Sequence, residues 1–421
     1  MMSTTLEGAS PNRWHVLFAC FLAYTFDAMD FMLLAVAMPA IMTDLHLSLA
    51  AAGLIGTATL VGVGFSSVLM GWYADNYGRK LALVLSLVVF GAFTAAIGFA
   101  QDWWHLMLFR LIAGLGLGGV WGVAAAFIRE VFPTHQRGRA IALVISAWPF
   151  GFGAAALLAR VVLPSHGWRV LFFCGIGAVI AAIYIVLFVR ESEAWKSERA
   201  STSTVKQSVS ILEIFSDELR LTTVFGTLAA TFALVGYWAA NTWIPTYLVK
   251  ERGLGTGMMT TFLILLNVGM FVGLHIFGWL GDRIGRDRAV ILSFIGATIA
   301  LPVYAVTRNN ELLFWMGPVT ALFFPFGGLF GAYFGELYPA RVRSLGAGFC
   351  FNFGRGLSAF APFLLGAIAA RSSLSTGIAL CSVAFALAAM FTIILARVQR
   401  HRQYGQSTQD APRIQLTSEP R

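Results

Sequence analysis

Long apolar runs separated by short polar loops recur from Trp14 to Ala396, and they leave little room for any water-soluble fold. Several last 18 residues or more, the length that crosses a hydrocarbon core of about 30 Å. Charged residues make up 12% of the 421-residue chain and apolar ones 58%, whereas a soluble domain carries about 25% charged residues. The fold class expected is an all-α polytopic membrane protein.

Hydropathy and turn residues place twelve helices. The first six lie near 14–42, 50–74, 81–100, 103–128, 139–163 and 168–190. The second six lie near 220–249, 258–281, 289–307, 311–335, 345–370 and 374–396. Residues 1–13 then form an N-terminus, 14–190 and 219–396 two halves, and 191–218 a linker rich in Ser, Thr, Glu and Lys. The polar tail 397–421 is expected to be disordered. The first run is too long for a signal-peptide core and reads as a retained span. Of the 29 Lys and Arg residues, 21 fall on one side of this arrangement and five on the other. The positive-inside rule therefore puts both termini and the linker in the cytoplasm. The expectation is a monomeric, multi-pass protein of a bacterial-type inner membrane, surrounded by lipid.

The net charge of +9 does not point to nucleic acid, because the basic residues punctuate loops instead of clustering with aromatics. Cys20, Cys174, Cys350 and Cys381 lie in apolar runs without CxxC spacing, and read as small buried hydrophobes. No HExxH, GxSxG or phosphate-binding loop is present, so an enzyme is not expected, and the only coupling agent expected is a proton.

Two pairs of segments repeat. "GWYADNYGRK" at 71–80 matches "GWLGDRIGRD" at 278–287, and "EVFPTHQRGRAIA" at 130–142 matches "ELYPARVRSLGAG" at 336–348. The offsets, 207 and 206 residues, are nearly constant. This points to duplicated six-helix halves with pseudo-symmetry. Asp75 and Asp282 sit at span ends, where they can face cationic partners and helix N-termini, and Gly71 and Gly278 permit close helix approach. Asp75, Arg79, Asp282 and Arg286 are therefore expected to gate, together with Glu130, Arg137, Glu336 and Arg343 of the second pair. The plainer reading of the arginines is that they only orient the chain.

Carboxylates are costly inside a span. Asp27 lies thirteen residues beyond Trp14, roughly 20 Å along a helix, and Asp30 follows on the same face. Desolvation and mutual repulsion both favour the protonated carboxyl, so proton exchange is the expected use. The plainer reading is a hydrogen-bonded pair that never titrates. Arg355, in "NFGRGLSAFAP", is the cation placed to bind an anionic substrate through its planar fork, with Asn352 one turn earlier. Its alternative is a structural ion pair with Asp27 or Asp30. Trp148, Tyr237, Trp238, Asn241 and Asn267 complete the expected cavity, where aromatic rings would stack on a planar substrate. Pro149 is expected to break its helix beside the site and Arg160 to snorkel; Trp243 joins the cavity or, on the plainer reading, anchors at an interface, and His275 is a hydrogen-bonded core residue in preference to a proton relay.

The doubled GxxxDxxGR loops, with Arg110, Gly114, Gly116 and Gly118 on the fourth helix, resemble the major facilitator superfamily over about residues 14–396. That resemblance implies two six-helix domains rocking about a central site, with Arg110 in proton coupling or substrate handling; the plainer reading of Arg110 is that it snorkels to the interface. The D-x-x-D pair, Arg110, the segment of Glu130, Pro133 and Arg137, and the N-x-G-R-G run resemble the aromatic acid/proton symporters. Ala28, where that branch has glycine, is closer to the sialate and monocarboxylate symporters. Both imply a proton-coupled importer of a small organic anion. A proton-driven exporter and a sugar importer are the alternatives within the fold. The exporter is disfavoured by "GFGAAALLA", which lacks a full glycine–proline pattern, and the sugar importer needs no mid-membrane arginine.

Overall fold

The computed structural model describes residues 12–200, 210–324, 326–339 and 341–409. Helix occupies each of the twelve expected stretches. The first half contains α1 (Arg13–Asp44), α2 (Leu49–Tyr77), α3 (Arg79–Ala96), α4 (Trp103–Leu117), α5 (Val120–Val131), α6 (Thr134–Phe173) and α7 (Ile176–Phe188). A short helix, α8 (Glu193–Ala200), follows. The second half contains α9 (Arg220–Lys250), α10 (Thr256–Ile284), α11 (Arg286–Val306), α12 (Asn310–Leu322), α13 (Phe326–Leu337), α14 (Arg343–Leu357), α15 (Ala361–Arg371) and α16 (Leu374–Gln409). Ten helical stretches among the described residues are long and apolar enough to cross a membrane. The sixth and tenth expected spans are interrupted instead, at Cys174–Gly175 and near Phe323–Phe324.

Several expectations need correction. The chain turns at Gly167 (φ 75°), inside the stretch labelled α6, so the fifth span reaches further than 163. Pro149 sits inside that helix without breaking it, since neighbouring helices can satisfy the backbone group it frees. The fourth span breaks at Gly118–Gly119, between α4 and α5, and the eleventh at a tight turn over Ser358–Phe360. α16 continues past 397 to Gln409, with Arg400 paired to Asp287 and Arg402 to Glu218, each at 3.1 Å. Residues 1–11, most of the expected N-terminus, 201–209 of the linker and 410–421 of the tail lie outside the described residues.

α1 and α9, the first helices of the two halves, are apolar on nearly all faces and buried along most of their length. Such helices belong inside a bundle, and here they carry the site. One end of the bundle is basic. It gathers the turns at Gly78 and Gly285, Arg190, Glu191, Arg341 and the last turns of α16, tied by Asn12 to the Arg190 carbonyl and by Arg341 to Glu213. Gly78 and Gly285 have φ of 110° and 98°, a region open to glycine at no steric cost. At the far end the halves meet closely. A Cβ added at Gly53 would lie 2.6 Å from the Pro362 carbonyl oxygen, one added at Gly366 would lie 2.5 Å from that of Leu49, and Arg160 donates to Thr261 across the divide at 3.0 Å. At the basic end, an added Cβ at Gly71, Gly138, Gly278 or Gly335 would meet nothing within 4 Å.

Candidate functional site

The two aspartates of α1 share a helical face but not their partners. Asp30 is locked into the first half. Arg110 Nη1 donates to both carboxylate oxygens, at 3.1 and 3.0 Å, and Thr94 Oγ1 of α3 donates to one of them. Arg110 Nε donates to Thr59 Oγ1 of α2 at 3.0 Å. The Arg110 side chain is fully buried, so it does not snorkel. Four helices of one half thus converge on one ion pair, a charge-assisted arrangement that partly offsets the cost of burying two ions. Thr59 and Thr94 were not anticipated. A threonine that can bond to its own preceding turn carries no sequence signal for a more distant partner.

Asp27 is equally buried, yet its Oδ1 has no hydrogen-bond partner among the described residues. Across the divide, Arg355 of α14 feels its charge without forming a direct ion pair, so the alternative of a structural bridge is not what this state contains. Arg355 Nε is also buried and unpartnered. Its guanidinium carbon lies 5.9 Å from the Phe31 ring centre and 5.8 Å from that of Trp238, within cation–π range. Asn352 is half-buried on the same helix, and its side chain makes no hydrogen bond among the described residues.

Aromatic rings close the space around these groups. Phe31 and Trp238 meet at 4.5 Å, Trp148 lies 5.3 Å from Tyr24 and 6.0 Å from Phe31, and Trp148 Nε1 donates to the Tyr237 hydroxyl at 2.8 Å across the two halves. Tyr24 and Phe31 were also missed, although both flank the aspartates in the sequence. Trp238 Nε1 and Asn267 Oδ1 are buried without partners. Asn241 and Asn267 each donate to the carbonyl one turn back, Tyr237 at 3.0 Å and Leu263 at 2.7 Å. Most buried polar atoms in native proteins find partners. Here Asp27 and Arg110 of the first half and Trp238, Asn267 and Arg355 of the second each hold one in reserve. Trp243 is not an interfacial anchor: it is fully buried and donates to the Pro362 carbonyl at 2.8 Å. His275 is not the core residue expected: it is exposed, though hydrogen-bonded within its own helix to the Phe271 carbonyl.

The repeated loops form matching clusters at the basic end. Arg79 pairs with Asp75 at 2.5 Å and Glu130 at 3.0 Å, and Arg286 pairs with Glu336 at 2.8 Å. Arg137 donates to the Phe132 carbonyl and Arg343 to that of Tyr338, again at the repeat offset. Asp282, expected to pair like Asp75, is exposed and has no ion-pair partner among the described residues. In this state these clusters bind helices within each half, not one half to the other. Glu191, not anticipated in this role, caps α3 by accepting from the Arg79 and Lys80 amides, and Trp195 of α8 donates to the Asp75 carbonyl at 2.9 Å.

A family model described as Major Facilitator Superfamily matches residues 20–335. A cis,cis-muconate transport protein of Acinetobacter baylyi is 31% identical over 93% of this chain and 96% of its own length. A sialic acid transporter of Escherichia coli is 27% identical over 91% of this chain and 94% of its own. Among solved structures, a bacterial homolog of the human lysosomal transporter Spinster, in an inward-facing and unoccupied conformation, superposes with a TM-score of 0.72 at 18% identity. That alignment covers 94% of this chain and 99% of the other.

Proposed function

The chain belongs to the Major Facilitator Superfamily and is a multi-pass membrane transporter, and we propose that it imports a small, planar organic anion together with a proton. The observation that carries this reading is Arg355. It is a buried guanidinium with an unpartnered Nε, held between two aromatic rings, at the junction of the halves and opposite an aspartate with an unpartnered oxygen. A carboxylate supplies what that fork lacks, and a conjugated acid offers a flat face to Phe31, Trp148 and Trp238. The muconate and sialic acid relatives both carry organic acids. The ring cage favours the flat, unsaturated member of that class.

Asp30 takes the proton in this scheme. Protonation would remove the charge that holds Arg110, freeing the four-helix junction to shift. A proton entering with a monoanion also cancels the roughly 2.3 kcal/mol per 100 mV that an uncompensated charge faces. Asp27 sits opposite Arg355 and, as a charge of the substrate's own sign, weakens the hold on the bound anion, which favours its release. In this scheme the basic end, with most of the Lys and Arg, faces the cytoplasm of an inner membrane, and the close contact of the halves lies at the opposite end. The clusters at Arg79 and Arg286 hold each half rigid as it rocks.

The test is uptake into right-side-out vesicles of labelled muconate, benzoate, lactate and sialate, with and without an inward proton gradient. Gradient-driven uptake of muconate or benzoate is expected, lost in Arg355→Ala, while Asp30→Asn loses the response to the gradient but retains exchange. Uptake that ignores the gradient and survives both changes overturns the scheme. Outward movement of the same acids against the gradient would make the protein an exporter.

A further inference from the structure

A second, separate feature lies on the outer surface of the second half. Between α11 and α16 runs an apolar groove of about 370 Å³, whose walls include Ile295, Ile299, Met390 and Ile393. Ala386 and Ala389 line it too, small side chains that leave its volume unfilled. On α11 the positions 288, 292, 295 and 299 recur at helical spacing on one face, and Leu292, Ile295 and Ile299 are 45%, 42% and 63% exposed. On α16 the positions 386, 390, 393 and 397 do the same. Both stripes end in an exposed arginine at the basic end of the bundle, Arg288 on one and Arg397 on the other. Neither arginine has an ion-pair partner among the described residues, although Arg400 close by is neutralised by Asp287 at 3.1 Å.

From Ala386 to Arg397 the groove covers eleven residues of helix, about 17 Å at 1.5 Å per residue. That is roughly half of a 30 Å hydrocarbon core, or one leaflet. An apolar slot one leaflet deep, with the Arg397 guanidinium at its end and Arg288 two turns beyond Ile295 on the α11 stripe, matches one kind of occupant. We infer that this groove is a binding site for an anionic phospholipid, with an acyl chain against α11 and α16 and the headgroup phosphate held by Arg288 and Arg397. Guanidinium groups bind phosphate oxygens bidentately, and a net negative headgroup adds an attraction that a zwitterionic one lacks. The site is remote from Arg355 and does not depend on what the protein carries.

The experiment uses full-length protein, purified in detergent and stripped of lipid, then mixed with equal amounts of phosphatidylglycerol and phosphatidylcholine of identical chains. Native mass spectrometry counts the bound lipid. Phosphatidylglycerol is expected to dominate, with a loss of about five-fold for each arginine removed in Arg288→Gln and Arg397→Gln. Ala386→Trp, which fills the slot and leaves both arginines, is expected to lower phosphatidylglycerol binding as well. Equal retention of the two lipids by the unaltered protein overturns the inference without any variant. Survival of the preference in the double arginine variant, or undiminished binding in Ala386→Trp, overturns it too.

Discussion

Arg110 and Arg355 are the same residue type at similar depth, yet they sit in opposite electrostatic situations. Arg110 has Asp30 against it at 3.0 Å and Thr59 on its Nε, whereas Arg355 has two rings and an empty Nε. A buried pair costs desolvation on both sides, so its removal as a pair is far milder than the removal of one partner. Arg110→Met should therefore destabilise the protein by about 3–5 kcal/mol, and Asp30→Leu with Arg110→Met should recover most of it. Thermal unfolding of the purified variants in one detergent measures both. If the double variant melts no higher than Arg110→Met, the pair is not the closed unit described here. The choice of partners was not legible in the sequence. Span boundaries there are uncertain by roughly two to four residues, and a shift of two residues rotates a side chain by more than half a helical turn. The presence of charge at Asp27, Asp30, Arg110 and Arg355 could be read; which carboxylate faced which arginine required the packed bundle.

Among the elements, the duplicated loops were the most legible feature, because an offset of 206–207 residues over two motifs has no simpler origin than a repeated half. The repeat extends to φ at Gly78 and Gly285 and to the paired Arg–Glu contacts. Its halves are nevertheless unequal. Arg79 is 10% exposed and bonded to two carboxylates, while Arg286 is 35% exposed with one carboxylate and the Ala332 carbonyl. A more exposed pair contributes about 0–1 kcal/mol, and Arg286→Gln should fall in that range. Arg79→Gln strands the mostly buried Glu130, whose Oε2 is already unpartnered, and an unsatisfied charged group costs about 1–3 kcal/mol or more. Melting temperatures of the two variants should rank accordingly, with Arg79→Gln lower. The reverse order would mean that exposure, as seen in this state, does not set the strength of these clusters. Helix breaks were the least legible elements. Gly118–Gly119 lies inside an apolar run with no polar punctuation, while Pro149 advertises a break that its neighbours absorb.

For the whole molecule, the asymmetry between its two ends is a statement about motion. The far end is closed by backbone on backbone: an added Cβ at Gly53 would lie 2.6 Å from the Pro362 oxygen and 2.8 Å from the Phe363 Cα. Backbone atoms cannot swing aside as a flexible side chain can, so a larger residue here must separate α2 from α15. Leucine is a better helix former than glycine by close to 1 kcal/mol, so Gly53→Leu leaves α2 itself intact. Its effect falls on the equilibrium between states, which moves only by the difference in free energy the change makes between them. The closed far end loses its seam, and the state open at that end gains by comparison. Thr242, close to this seam at Gly56, reports the outcome. In a Thr242→Cys background, an impermeant thiol reagent applied from outside should label faster when Gly53 is leucine, with helicity by circular dichroism unchanged and transport reduced at least about ten-fold, as for a shift near 1.4 kcal/mol. Unchanged labelling with normal transport would show that contact between α2 and α15 is not what closes the far end, and the rocking of the two halves would have to turn on the seam between α6 and α10 instead.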